Sequence, residues 1–378
     1  MADARPKAEG SARGHRVRRA MRAAVYYGRQ DLRLTSVPEP EAGPGEVKLR
    51  VRYNGICGSD LLEYFDGPVT TRDTPHPLTG VKNPVIMGHE LCGEVVALGA
   101  GIEDLAVGTL VAVEPVETCG RCLYCGLGQY NHCPTLAIQG YNRPGGLAEY
   151  TVVKRRMAHP LPPGVSALEG ALIEPLAIAW HTVNRCAVSA GQVVAIHGAG
   201  PIGAGAFLTL KRRGVEAIVA DPSPARRTAL TALGARTVLD PNACDVVAAI
   251  RDLTGGRGAD ASIDAAGGAK AFAAMLHGTR VDGTAVVVAI HHEPVVIPPF
   301  DLLMPEVRLT GVALSVNAFP AVIAEMARGS YPLEGWVETI PFDGVIEKGI
   351  ERLRRQEGMK IVVDVAAAAG ERRPGERA

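Results

Sequence analysis

The chain has 378 residues, 47% hydrophobic and 21% charged, with 40 Lys plus Arg balanced by 40 Asp plus Glu. That length allows two domains and a sizeable core, and zero net formal charge provides no global field for nucleic acid or an anionic membrane. No run approaches the roughly 18 apolar residues of a spanning helix. The N-terminal segment carries Arg and Lys without the apolar stretch of a secretory signal. A cytoplasmic location is expected, where clustered cysteines are more often metal ligands than disulfides.

Residues 1–20 read as a disordered extension, with structure expected from Met21 in "MRAAVYYG". From 21 to 175, short Val-bearing stretches broken by Gly and Pro ("GEVKLRVRYNGICG", "GHELCGEVVALG", "GTLVAVEP") predict a β-rich domain with tight turns. From 176 to 315 the texture alternates. "QVVAIHG" reads as a strand, "PIGAGAFLTLKRRG" as a helix and "VEAIVAD" as a strand. A helix near "PARRTALTALG", a strand at "GADASIDAAG", a helix from Lys270, and strands at "GTAVVVAI" and "RLTGVAL" follow. Such alternation predicts an α/β Rossmann-type doubly wound parallel sheet. Residues 316–365 return to mixed helix and strand and are expected to rejoin the first domain. Residues 366–378 read as a flexible tail.

Within "VVAIHGAGPIG", Gly198, Gly200 and Gly203 have the G-x-G-x-x-G spacing, with Pro201 and Ile202 between them. A strand before, a helix after, and a second strand ending in Asp221 are the context this motif needs. Gly198 makes the turn, Gly200 admits a pyrophosphate, and Gly203 lets helix and sheet pack closely. The helix N-terminus offers free N–H groups to phosphate. Asp221 would accept hydrogen bonds from a ribose 2′-hydroxyl and repel a 2′-phosphate, favouring NAD over NADP. Arg226, one helical turn on, could contact the same ribose and leaves NADP some tolerance.

Four of the eight cysteines, Cys119, Cys122, Cys125 and Cys133, fall in one stretch, "CGRCLYCGLGQYNHC". Four thiolates suit a closed tetrahedral zinc that braces a loop without catalysing. An iron–sulfur cluster also uses four cysteines, and two disulfides are a third possibility. A second mixed set is dispersed: Cys57 in "NGICGSD", His89 and Glu90 in "GHE", and Glu174 in "EP". A thiolate, an imidazole and a carboxylate leave zinc one open position, the arrangement that lowers the pKa of a bound water or alcohol. Cys92, Cys186 and Cys244 read as small core residues.

Taken together, "GICGSD", "GHELCGEVVALG", the four-cysteine loop, "GGLAEY", "IEPLA" and "GAGPIG" resemble, in order, the motifs of zinc-dependent medium-chain alcohol dehydrogenases, from Met21 to Asp364. The resemblance implies a GroES-like catalytic domain into which the Rossmann domain is inserted in sequence. It implies a catalytic zinc on Cys57, His89 and Glu174, with Glu90 adjacent and itself a ligand in some polyol-dehydrogenase relatives. Asp60 would hydrogen-bond to His89, and Ser59 would accept the substrate hydroxyl proton. Val288 and Ile290 in "AVVVAI" would hold the nicotinamide. Lys360 would stand near the cofactor phosphates. Family members often carry a histidine five residues after the zinc cysteine. That position is Leu62 here, so proton exit would use the ribose, water, Glu63 or Tyr64. His76, in the insert "TPHPLTG", could reach substrate, and His291 and His292 could line the cleft or a surface loop.

A carboxylate at position 174 and the insert "FDGPVTTRDTPHPLTGVKNPVIMGHE" resemble the butanediol and polyol branch of that family. The expected activity is reversible, zinc-dependent oxidation of a secondary alcohol or vicinal diol with NAD, 2,3-butanediol to acetoin being the leading substrate pair. A homodimer or homotetramer is implied by the same resemblance. Competing readings are a sorbitol, L-threonine or inositol-type dehydrogenase, or a non-catalytic NAD-binding homologue. A zinc-ribbon nucleic-acid module is disfavoured by zero net charge.

Overall fold

The computed structural model describes residues 19–369. The extension and tail expected at the two ends fall mostly outside that range, but their inner edges differ from expectation. Ala20 already opens the first strand, Ala20–Gly28, because it pairs with Pro38 of the antiparallel strand Asp31–Pro38. At the other end Ala366–Ala369 form a 3-10 turn, held where the Asp364 carboxylate accepts from the Ala367 backbone N–H at 3.0 Å. Among the described residues no helix is long and apolar enough to cross a membrane.

The middle of the chain builds a six-stranded sheet. Its order is Thr237–Leu239, Glu216–Ala220, Val193–His197, Ala259–Asp264, Thr279–Val287 and Arg308–Gly311. All five pairings are parallel. Chain order therefore reverses beside Val193–His197, and the crevice beyond that strand's C-terminal end is where an open α/β sheet binds its ligand. The edge strand Thr237–Leu239 and the helix Val246–Leu253 were not apparent in the sequence pattern. Three half-buried residues are too few to show a periodicity of two.

The two ends of the chain share a second sheet. Strands Ala158–Pro160, Leu110–Val113, Glu90–Leu98, Glu46–Gly55, Lys360–Asp364 and Val337–Pro341 lie side by side, with Tyr150–Lys154 also on Glu46–Gly55. Lys360–Asp364 pairs antiparallel with Glu46–Gly55, putting Val362 opposite Gly55. Closure of this sheet inserts the parallel sheet into the middle of the β-rich part. The helix Ile173–Cys186 makes the crossing. It packs on Pro201–Arg212 and buries Ile173, Leu176, Ala177, Ala179 and Val183 in an apolar cluster shared with Ile196 and Leu208. Its buried face fixes the direction in which its first turn, carrying Glu174, enters the molecule.

Candidate active site

Cys57 is the N-cap of the helix Gly58–Asp66. Three residues on, Asp60 reaches back, and its Oδ2 accepts from the Cys57 backbone N–H at 2.9 Å. This satisfies a donor that the helix start leaves free and holds the backbone that carries the Cys57 thiol. Gly88 turns the chain at φ +98° just before His89, a conformation that costs glycine little. Strand Glu90–Leu98 then runs against Glu46–Gly55, with Glu90 opposite Gly55. Ligand atoms of Cys57, His89 and Glu90 all lie within 4.8 Å of one another.

His89 is 5% exposed, with Nδ1 3.4 Å from Asp60 Oδ1. At that separation the contact is a charge attraction rather than the well-formed hydrogen bond expected, and Nδ1 has no hydrogen-bond partner. Burial alone would favour neutral His89, but the Asp60 carboxylate and Cys57 raise its proton affinity well above the usual range. Burial likewise opposes charge on Asp60. The adjacent His89, the Cys57 N–H and Tyr141 nevertheless keep its carboxyl below the usual range. With Nδ1 facing Asp60, Nε2 is left for a metal. A thiolate, an imidazole and a carboxylate on rigid elements form a donor set that zinc accepts with a position to spare.

Four placements differ from what the sequence suggests. Glu174 is 6% exposed in the first turn of Ile173–Cys186 but is not in the close set. Burial, then the neighbouring Glu90, pushes its carboxyl up to about 7. Lys360 is not at a phosphate position. It is 1% exposed, and its Nζ donates to the Ile56 carbonyl at 3.0 Å and to the Glu90 carboxylate. Strand pairing turns it inward, and Glu90, followed by Cys57, outweighs burial and raises its pKa. Glu63 is no proton exit, because its carboxylate accepts from Thr70 N at 2.7 Å and Thr71 Oγ1 at 2.6 Å and so pins the loop after the helix. His76 is likewise structural: 5% exposed, with Nε2 3.2 Å from the Leu136 carbonyl and Nδ1 accepting from Leu78 N.

Two residues went unnoticed in the sequence. Tyr141, in the loop before Tyr150–Lys154, has its hydroxyl 2.8 Å from Asp60 Oδ1 and 3.0 Å from Ser59 Oγ. His197 ends the strand before the glycine motif, 3% exposed, with an unpartnered Nε2. Burial pushes its pKa down to about 4 against a weaker opposing pull from Asp264. A lone tyrosine or histidine in an apolar stretch carries no spacing signal.

Cys119, Cys122, Cys125 and Cys133 likewise converge within 4.8 Å, and all are free thiols. The backbone N–H of Arg121 is the chief reason that the Cys119 pKa is lowered to about 6, which suits a thiolate metal ligand. This loop also reaches the segment leaving the parallel sheet. Asn131 Nδ2 donates to the Ala313 carbonyl at 3.1 Å, Asn317 N to Tyr130 Oη at 2.8 Å, and Asn317 Nδ2 to the Gly128 carbonyl at 3.2 Å.

The glycine turn has the geometry of a phosphate cradle. Gly198 has φ +105°, and a Cβ there would sit 2.8 Å from Ala265 backbone atoms. At Gly203 a Cβ would overlap the Gly198 carbonyl oxygen, whereas at Gly200 it would meet nothing closer than Arg226 Nη1 at 4.0 Å. The open backbone at Gly200 caps the helix Pro201–Arg212, whose Pro201 and Ile202 follow directly. Asp221, 2% exposed, accepts from Ala199 N and Ser223 N, each at 2.7 Å. Its Oδ2 is 3.8 Å from Arg226 Nη1. Val288 is half-buried and donates its N–H to the Asp264 carbonyl, while Ile290 is 52% exposed. His291 Nε2 lies 2.7 Å from Asp264 Oδ2, so it ties down the loop after Thr279–Val287.

Comparison with known proteins agrees with both halves. Residues 43–163 match the alcohol dehydrogenase GroES-like domain, and residues 201–328 match the zinc-binding dehydrogenase domain. The (R,R)-butanediol dehydrogenase of Bacillus subtilis is 37% identical over 91% of this chain and 99% of its own. The crystal structure of 2R,3R-butanediol dehydrogenase from Bacillus subtilis superposes with a TM-score of 0.86 at 34% identity, covering 91% of this chain and 99% of that one. A zinc-binding dehydrogenase from Sinorhizobium meliloti, bound to NADP, has a TM-score of 0.84 at 30% identity, over 92% of this chain and 100% of its own. A GroES-like β-rich part that carries a mixed sulfur, nitrogen and oxygen cluster, wrapped around a parallel sheet with a dinucleotide turn, makes this chain an oxidoreductase of the zinc-dependent medium-chain alcohol dehydrogenase family.

Proposed function

We propose that the protein reversibly oxidises a secondary alcohol or vicinal diol with NAD, and that 2,3-butanediol, yielding acetoin, is its preferred substrate. The convergence of Cys57, His89 and Glu90 carries this reading. Zinc held there would supply a Lewis acid that makes an alcohol hydroxyl easier to deprotonate. Ser59, two residues past Cys57, would accept that proton while passing its own hydroxyl proton outward. Glu174 stands beside the ligand set, where its carboxyl, pushed up to about 7 by burial, is only partly ionised at neutral pH. Asp221 still has lone pairs free after its two backbone bonds and would receive the ribose hydroxyls, favouring NAD. Arg226 is the contact through which NADP could be tolerated.

The four cysteines are assigned a structural zinc, consistent with a reducing cytoplasm. Homo-oligomerisation is supported by Val296, Phe300, Leu303 and Met304, each more than 60% exposed, beside the edge strand Arg308–Gly311.

The test is initial rates with NAD and with NADP against the 2,3-butanediol stereoisomers, sorbitol, threonine and ethanol, with metal analysis of the same sample. The expected result is fastest turnover of one butanediol stereoisomer with NAD, and zinc at both clusters. Full activity after complete metal removal would overturn the reading, and a clear preference for sorbitol or threonine would replace its substrate.

A further inference from the structure

We infer that His291 is a positioning residue for the nicotinamide end of the cofactor: its hydrogen bond to Asp264 holds in place the loop that carries Val288 and Ile290. This rests on the proposed NAD-linked oxidation and adds a residue that the family motifs do not supply.

Three loops leave the C-terminal ends of three adjacent strands, Val193–His197, Ala259–Asp264 and Thr279–Val287, the edge at which such a sheet receives a dinucleotide. They touch in series. A Cβ on Gly198 would lie 2.8 Å from the Ala265 backbone, and one on Gly267 would overlap the Ile290 carbonyl. Asp264, fully buried where the middle loop begins, anchors both that loop and the next. Its Oδ1 accepts from Ala266 N at 2.9 Å and from Gly267 N at 3.0 Å. Its backbone carbonyl accepts from Val288 N and Ala289 N, each at 3.0 Å, and its Oδ2 accepts from His291 Nε2 at 2.7 Å.

That last bond has no substitute. Among the described residues it is the only hydrogen bond made by any residue from Ile290 to Ile297. Farther along, Val295 and Ile297 pack on the apolar cluster around Phe272 and Met275. Packing thus pins the outer half of the loop and His291 the inner half. The His291 ring stands edge-on to Phe272, with centroids 5.7 Å apart, which restricts its rotation. Nε2 can donate in the neutral ring as in the cation, so the clasp does not depend on the charge of His291. Without the bond, Ile290 would spend time away from Gly267. Binding would then have to reorder the loop, and apparent affinity would fall with the fraction of molecules in which the loop is in place.

The experiment uses full-length, zinc-loaded protein carrying His291→Leu, His291→Ala or His291→Gln, the last with a side-chain amide that can replace the Nε2 donor. Calorimetry measures the binding of NADH and of ADP-ribose, which lacks the nicotinamide ring. His291→Leu and His291→Ala should keep the thermal midpoint within a few degrees and bind NADH about tenfold more weakly. Their affinity for ADP-ribose should stay within about twofold of wild type, because the glycine turn and Asp221 are untouched. His291→Gln should recover NADH affinity to within about threefold of wild type. In cofactor-free protein, amide hydrogen exchange at Val288 and Ala289 should quicken about tenfold in His291→Leu. Unchanged NADH affinity, an equal loss for both ligands, or no recovery in His291→Gln overturns the inference. A wild-type protein that binds NADH but oxidises no alcohol sinks the proposed function instead, and the two affinities still decide this inference.

Discussion

The Lys360 ammonium, on the last of the described strands, rests on the Glu90 carboxylate at the start of another strand, and both side chains are 1% exposed. A third group joins them, the Ile56 carbonyl one residue before Cys57. The cation therefore ties the backbone next to one zinc ligand to the side chain of a second.

Removing one partner of a buried pair leaves an uncompensated charge, which costs about 3–5 kcal/mol. Lys360→Met should lower the urea-derived stability of the zinc-free protein by that amount. A lysine serving only the cofactor phosphates would leave that stability intact and weaken NADH binding instead, so measuring both separates the two roles.

Gly55 faces Glu90 so closely that a Cβ there would overlap the carboxylate. Gly55→Ala should push Glu90 off its position and empty the Cys57 cluster, while the four-cysteine loop keeps its metal. Zinc content per subunit, read by atomic spectroscopy, should fall by about half, and activity should fall with it.

His197 gives the protein an acid-sensitive component. An unfolded histidine takes a proton near pH 6.5, whereas burial holds folded His197 neutral down to about 4. The unfolded state binds more protons between those values, so stability present above pH 6.5 is lost progressively as pH falls through the window. Wild type should lose about 2 kcal/mol more than His197→Leu between pH 7.5 and 5. Paired urea titrations at the two pH values measure the difference.

The four-cysteine loop grips the segment that returns the chain from the parallel sheet, through Asn131 to Ala313 and Asn317 to Gly128. Cys125→Ser should release the loop metal and loosen that grip. Limited proteolysis should then cut between 119 and 133, at sites that wild type protects, with zinc retained at Cys57. Equal protease resistance in the two proteins would remove the brace role.

Local spacing made part of this molecule legible. The Gly198 turn and the four-cysteine loop each lie within a short stretch, so the sequence alone carries their geometry: a turn followed by a helix start in one case, adjacent thiols in the other. Periodicity likewise gave most strands and helices of the parallel sheet. It missed Thr237–Leu239 and Val246–Leu253, and it did not show the helix that begins immediately after Cys57, where capping by Asp60 rather than any long repeat defines the element.

The sequence thus determined which chemistries were available: a dinucleotide turn, a thiolate cluster, and a scattered thiolate, imidazole and carboxylates. Only tertiary structure decided how the scattered set assembles. Strand register puts Glu90 opposite Gly55 and Val362 opposite Gly55 from the other side. Those pairings bring Glu90 to Cys57 and turn Lys360 inward, while Glu174, on a separate helix, stands just outside. Tyr141 meets Ser59 and Asp60 for the same reason. Side chains far apart in sequence meet where backbone hydrogen bonds and core packing align their strands, and no local pattern encodes that alignment.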